Sequence, residues 1–445
     1  MKNSVRRLAS TAMLAALVIP TTSFATNGYF AHGYSTNSNG LAGAGVALPQ
    51  DAMASATNPA GLVYVDQSFD VGLAYFSPHR QYTVNGQGDI VNPPPNFPLQ
   101  PGTVESGSND FYIPHFGVNW KLGNDQAIGL AIYGNGGMNT DYPAFANAYC
   151  PPPPGSAGTG SFCGGATGVD LAQLFVNATY AFKINATNSL GVSLIAAYQR
   201  FKATGLAGFA GYSIDGTAVS NNGYDTSTGF GGKIGWQGEV ASGLTLAASY
   251  QSKIDMRQFQ NYAGLFAGGG SFDIPATATI GLAWKLKPTA TLVFDVQQIY
   301  YNDVDAIGNP ISNLIGPSNS CATGVPSKCL GGSDGAGFGW DNMTVYKLGY
   351  QWDSSQNWTW RVGYSYGKQP IPDSEVLFNI LAPAVIEQHV TFGFTNKLSQ
   401  TSEWNFAAMY APSKTVSGPN PMTTGQTIDL KMYEYQVEAS YTHKF

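Results

Sequence analysis

The chain has 445 residues, with 21 Lys and Arg against 27 Asp and Glu and a formal net charge of -6. Charged residues make up only 11% of it, well below the roughly 25% of ordinary soluble domains, and a negative chain is an implausible partner for nucleic acid. Past the N-terminus no stretch reaches the roughly 20 uninterrupted apolar residues that a spanning helix needs, which leaves any membrane crossing to strands.

Lys2, Arg6 and Arg7 precede an apolar run from Leu8 to Ile19, and Ser23-Phe24-Ala25 places small residues where a signal peptidase reads. Residues 1–25 are thus expected to be a cleaved secretory signal peptide, too short in its apolar part for a retained anchor. Its removal takes the formal charge from -6 to -9, because it carries three basic residues and no acidic one.

Residues 26–65 show no alternation and are rich in small residues, as in Gly40-Leu41-Ala42-Gly43-Ala44-Gly45, Asp51-Ala52-Met53 and Asn58-Pro59-Ala60-Gly61. Leu41, Val46, Leu48, Met53, Leu62 and Val63 are too apolar for a tail that never packs. The segment is expected to fill the lumen of the barrel that follows.

Residues 66–445 alternate apolar and polar positions with a period of two, the pattern of a strand with one wall in lipid and one in water. Leu190, Val192, Leu194, Ala196 and Tyr198 are assigned to lipid, with Ser193 and Gln199 inward. Ala278, Ile280, Leu282, Trp284 and Leu286 oppose Thr277, Thr279 and Lys285, and Trp358, Trp360, Val362, Tyr364 and Tyr366 oppose Thr359, Arg361 and Ser365. Short turns at 123–125, 185–188, 241–243, 287–288, 353–357 and 399–401 alternate with long polar loops near 80–109, 136–170, 204–226, 256–273, 304–340, 368–385 and 414–428. Counting the segments between them predicts an all-β fold, a transmembrane antiparallel β-barrel of about 14 strands, with its short turns in the periplasm and its long loops outside.

The third strand carries Ile128, Leu130 and Ile132 toward lipid, then breaks at Gly134-Asn135-Gly136-Gly137. Glycine inside a strand permits a kink or bulge, but the same run could simply begin the next loop. Cys150 and Cys163, and Cys321 and Cys329, fall in two loop stretches, and in an exported chain they are expected to form two disulfides. The rival reading, a metal site, lacks a nearby His and the close cysteine spacing that zinc prefers. The chain ends on a strict alternation from Tyr433 to Phe445, and a terminal aromatic strand with Tyr441 and Phe445 has the form of a barrel-assembly signal.

The motifs Gly40 to Ala47, Asp51-Ala52 and Asn58-Pro59-Ala60, followed by a barrel ending in Phe, resemble the long-chain fatty-acid transporter family (FadL), including its toluene and xylene uptake members. Asn27-Gly28-Tyr29-Phe30 with Leu48-Pro49-Gln50-Asp51 leans toward the hydrocarbon branch. The resemblance implies that residues 26–65 are a hatch closing the lumen, with Gly40, Gly43, Asn58, Pro59 and Ala60 as its motif. It also implies that Gly134 to Gly137 kink the third strand and open a lateral gap.

The resemblance further implies passive uptake of hydrophobic compounds across the outer membrane of a Gram-negative bacterium. The expected partners are an apolar small molecule, outer-membrane lipid and lipopolysaccharide, and the barrel assembly machinery, with the protein a monomer and no cofactor or metal. A general diffusion porin and a structural or adhesive barrel are the alternatives.

Chemistry in the residues points the same way. A ten-carbon chain prefers an apolar site to water by roughly 8 kcal/mol, at about 0.8 kcal/mol per CH2. A greasy, interrupted conduit therefore suits such cargo better than a wet pore. By parity Lys233, Lys285, Lys347 and Arg361 face the lumen, with Asp295 and Glu239 as company, and the expected arrangement is that these charges pair with one another. Gly331-Gly332-Ser333-Asp334-Gly335 fits a nucleophile-elbow pattern but has no following helix, and the five His are scattered, so no catalytic residue is assigned. Asn302-Asp303-Val304-Asp305 reads as a solvated loop before a Ca2+ site.

Overall fold

The computed structural model describes residues 27–89, 97–150 and 158–445, so the expected signal peptide lies outside the described residues. Fourteen antiparallel strands close into a barrel: β1 Ser68–Asn85, β2 Phe111–Lys121, β3 Gln126–Asn139, β4 Gly168–Lys183, β5 Asn188–Thr204, β6 Asp225–Ala241, β7 Leu244–Gln251, β8 Thr277–Lys287, β9 Ala290–Ile299, β10 Met343–Asp353, β11 Trp358–Gly367, β12 Gln388–Lys397, β13 Ser402–Pro419 and β14 Thr427–Lys444. Each strand pairs with its chain neighbours, and β14 closes on β1 from Ser68 opposite Lys444 to Asn85 opposite Thr427. Closure pairs the strands around the whole circuit, as a strand-built membrane protein requires, apart from the upper ends of β2 and β3.

Alternation holds around the wall. Leu194, Phe230 and Ile280 are 76%, 80% and 61% exposed on the outer face, whereas their neighbours Ser193, Lys233 and Thr277 are buried. Two short strands, Gly102–Glu105 and Asp255–Met256, lie in external loops and pair with the upper parts of β1 and β6. Three expected loops are shorter than the sequence suggested: β1 runs on to Asn85, β3 reaches Asn139 and β4 starts at Gly168, and β13 and β14 continue to Pro419 and from Thr427. Turn-like residues such as Asn, Lys and Ser mark a loop only when they do not pair, and here they pair.

The lumen has two zones. Toward the short turns its inward residues are polar, with Asp70, Asn119, Asn405, Glu438 and Thr442 all buried. Toward the long loops they become apolar. On β14 alone the inward face changes from Glu434 to Met432, Leu430 and Ile428. Phe76, Phe111, Tyr133, Phe175, Phe201 and Met409 continue this zone around the wall into one core shared with the loops. Most of residues 32–66 occupy the polar zone, while Tyr29, Phe30 and Ala31 reach into the apolar one.

Candidate functional site

The segment inside the barrel is built from short turns. Ser35 caps Thr36–Asn39, exchanging side-chain and backbone bonds with Ser38. Asn58 caps the 3-10 turn Pro59–Tyr64: its Oδ1 accepts from the Ala60 amide at 3.0 Å, and Pro59 supplies the preset φ of a first helical position. The same Asn58 side chain donates through Nδ2 to the carbonyls of Val46, at 2.9 Å, and of Trp236 on β6, at 3.2 Å. One side chain thus caps a turn, folds the segment on itself and ties it to the wall.

The wall meets the segment through its polar inward residues. Asp295 of β9 accepts from the amides of Gly45 and Val46 at 2.8 and 3.0 Å. Thr391 of β12 accepts from the Ala42 amide at 2.9 Å and donates to the Gly40 carbonyl at 3.1 Å. Glu438 of β14 accepts from Thr36 Oγ1 at 2.9 Å and Asn39 Nδ2 at 2.5 Å, and lies 3.3 Å from His115, which in turn bonds Asp70 at 2.8 Å. Asp51, at the turn after Gln50, is enclosed beside Asp70; burial first and that neighbouring charge second push its carboxyl up to about 6, while Asn37 Nδ2 and the Met53 amide bond it at 3.0 Å each.

The lumen cations are arranged differently from the sequence expectation. Lys233 Nζ donates to the Ala56 carbonyl, Lys347 Nζ to the carbonyls of His32 and Gly43 at 3.1 and 3.4 Å, and Arg361 to Gln50 Oε1 at 2.8 and 3.1 Å. They bind the inner segment instead of pairing with one another, because its unpaired carbonyls need donors that the turns do not supply. Lys285 is the exception, exposed at the rim of a cavity of about 320 Å³ beneath the segment, beside Leu48, Pro49 and Gln237.

Sequence reasoning missed a belt of wall glycines. Gly117, Gly129, Gly191, Gly235, Gly281, Gly349, Gly363 and Gly393 all face inward where the segment touches. A Cβ on Gly191 would lie 2.3 Å from the Pro59 carbonyl carbon, and one on Gly363 would lie 2.4 Å from the Ala42 nitrogen. The signal was present in the sequence as glycine recurring at inward parity, strand after strand. Within the segment, Gly40 packs against Gly393 and Arg361, and Gly43 has φ 73° with the His32 carbonyl where a Cβ would stand.

The wall is incomplete at one place. β2 and β3 pair only from Phe116 opposite Ile132 to Lys121 opposite Ala127, so Phe111–His115 and Tyr133–Asn139 have no ladder between them. Pro114 lies in that stretch and has no N–H to donate. β3 stays paired to β4 throughout, with a register shift between Gly134 and Gly136, so the glycine run is a bulge within a strand that goes on to Asn139. Asn135 points inward, fully buried, and begins a chain of amides through Gln173 and Gln199 at 3.0 and 3.1 Å. The free edge of β3 is taken by the inner segment: Ala31 donates to the Asn135 carbonyl and Gly137 to the Tyr29 carbonyl, both at 2.9 Å, around a bridge between Phe30 and Gly136.

Above the lumen four external loops enclose an apolar cavity of about 40 Å³ lined by Leu206, Phe209, Phe266, Ala306, Phe338 and Leu381, among others. A cavity that takes benzene measures about 150 Å³, so a guest enters only if these loops part. The disulfides Cys150–Cys163 and Cys321–Cys329 are formed in the same loop layer, in the β3–β4 and β9–β10 connections. Ser333 and residues 302–305 lie in the β9–β10 loop, and among the described residues no three His, Cys, Asp or Glu gather to share a metal ion. Tyr441 lies on the outer face of β14 near its end, and Phe445, 51% exposed, touches the barrel through backbone: its N–H donates to the Gln67 carbonyl at 3.1 Å.

The family model described as "Outer membrane protein transport protein (OMPP1/FadL/TodX)" matches residues 17–442. Among solved structures, the Pseudomonas putida toluene transporter TodX superposes with a TM-score of 0.63 at 17% identity, over 93% of this chain and 99% of that one. A Pseudomonas aeruginosa FadL homologue gives 0.65 at 14% identity, over 94% and 100%. The Ralstonia pickettii toluene transporter TbuX gives 0.60 at 16% identity, over 93% and 99%. A comparison with curated protein sequences returns no match.

Proposed function

This chain belongs to the OMPP1/FadL/TodX family of outer membrane transport proteins, and from that premise we propose that it is a passive uptake channel for uncharged hydrophobic compounds whose cargo leaves sideways through the barrel wall. The observation that carries the reading is the split between β2 and β3, which lies beside the apolar core and whose free strand edge is covered by the inner segment, with Arg80 donating to the Asn139 carbonyl at its far end. Residues 26–65 act as a hatch. Cargo lodges first among the apolar loop residues, moves into the apolar upper lumen, and passes between Ile113 and Pro114 on one side and Tyr133 and Gly134 on the other into the outer membrane. No energy source is required, since an apolar solute leaves one apolar medium for another.

The polar lower lumen, packed with the hatch, supports this lateral route over straight passage to the periplasm, and it argues against a general diffusion porin. Neutral cargo is favoured over a fatty acid because Lys233, Lys347 and Arg361 are bonded to the hatch, and Lys285, which is not, lies below it at the short-turn end, away from the apolar upper lumen.

Uptake of labelled toluene and labelled oleate, measured side by side in a host lacking its own transporter of this kind, tests the reading. Preferential toluene uptake is expected. Preference for oleate would overturn the neutral-cargo assignment, and uptake of neither would overturn transport for both classes and promote a structural or adhesive role for the disulfide-pinned loops. A disulfide engineered across the split, between Ile113→Cys and Tyr133→Cys, is expected to abolish uptake until reduced; unchanged uptake in the oxidised protein would refute the lateral route.

A further inference from the structure

Residues 27–31 rest on β3 along one side, and on the other side they meet the external loops, where Phe272 and Trp340 pack on the Tyr29 ring and Tyr301 supplies hydrogen bonds to the backbone. Tyr301 stands in the turn that follows β9, at the base of the β9–β10 loop. Its hydroxyl donates to the Asn27 carbonyl and accepts from the Tyr29 amide at 3.2 Å, so both of its hydrogen-bonding roles are spent on this segment. Its ring is edge-on to Phe30, 5.7 Å away at 78°, and to Trp340, 5.1 Å away at 90°. Gly28 passes the ring with φ 68°, and a Cβ there would stand 2.5 Å from the Tyr301 hydroxyl. Trp340 is itself fixed from the next external loop, donating through Nε1 to Asn379 Oδ1 at 2.6 Å.

We infer that Tyr301, backed by Trp340, is the latch that seats residues 27–31 on the free edge of β3 and so keeps the wall split closed. It also links the split to the loops. Phe338, which lines the apolar loop cavity, lies 6.1 Å from the Trp340 ring. An apolar guest lodged against Phe338 is therefore one ring contact from the latch, and by displacing Trp340 it loosens the segment from β3. That the guest is cargo rests on the transport reading above; the latch itself does not.

The test uses the full chain in lipid nanodiscs and reads backbone hydrogen exchange. Tyr301→Phe keeps the ring and removes the hydroxyl. Exchange at residues 27–31 and at Gly137 is expected to rise roughly tenfold, the effect of about 1.4 kcal/mol of lost hydrogen bonding, with β13 and β14 unchanged. Gly28→Ala disturbs the same contact from the segment's side and is expected to give the same pattern, which keeps the test open if one variant folds poorly.

Unchanged exchange at these residues in folded protein of both variants would overturn the latch. Saturating toluene is expected to raise wild-type exchange at the same residues; a flat response alongside a clear Tyr301→Phe effect would overturn the link to the loops. Absence of both toluene and oleate uptake in cells, with the exchange effect intact, would overturn the transport reading alone.

Discussion

At the residue scale, Asn58 is the side chain that concentrates the most roles. It closes a turn through Oδ1 and joins the hatch to itself and to β6 through Nδ2. Asn58→Ala removes a cap and two buried donations, a loss of about 2 kcal/mol. The expected outcome is faster hydrogen exchange over residues 54–64 with the barrel strands unaffected; unchanged exchange there would show that the wall glycines alone hold the segment. The role of Asn58 was only partly legible in the sequence. Asn-Pro reads as a turn opening, but the carbonyls that Nδ2 meets belong to residues 12 and 178 positions away, and no local pattern reports them. Lys233, Lys347 and Arg361 teach the same lesson: parity placed them in the lumen, yet their acceptors are hatch carbonyls and Gln50, so pairing among the charges was the wrong expectation.

At the scale of elements, strands and hatch fit by subtraction. Eight inward glycines leave a ring of space at the level where the hatch sits, and side chains there would drive the two backbones apart. Gly191→Val places a branched side chain against Pro59, an overpacking of about 1–3 kcal/mol. We expect the variant barrel to fold with its hatch displaced and to show stable ion conductance in planar bilayers where the wild type shows none. Conductance equal to wild type would mean that the wall gives way instead of the hatch. β3 shows the same dependence of an element on its neighbours. Its glycine run allowed both a bulge and a loop, and the choice was made by β4, which stays paired past the register shift up to Asp170, and by Pro114 in β2, which cannot donate across the split.

At the scale of the whole molecule, the residue that follows β14 stands outside the closed wall. Phe445 is half exposed, and its recorded hydrogen bonds run through its backbone and Gln67. We propose that its ring serves the assembly machinery. Phe445→Ala is expected to lower the amount of folded protein in the outer membrane severalfold while leaving the thermal unfolding midpoint of purified protein unchanged. A lowered midpoint would make the ring a structural part of the barrel.

The sequence by itself determined which face of each strand is apolar, the number of strands, the alternation of short turns with long loops and the pairing of the cysteines. These follow from period-two alternation and short sequence separation, which are local properties of a chain beside a bilayer. Only the tertiary structure decided which wall residues hold the segment in the lumen, how far the wall is unpaired and how an external loop reaches the N-terminal residues. The contacts responsible join Tyr29 to Tyr301 and Thr36 to Glu438, separations of 272 and 402 residues. Barrel closure alone brings such residues together, and alternation carries no record of which strand will stand opposite.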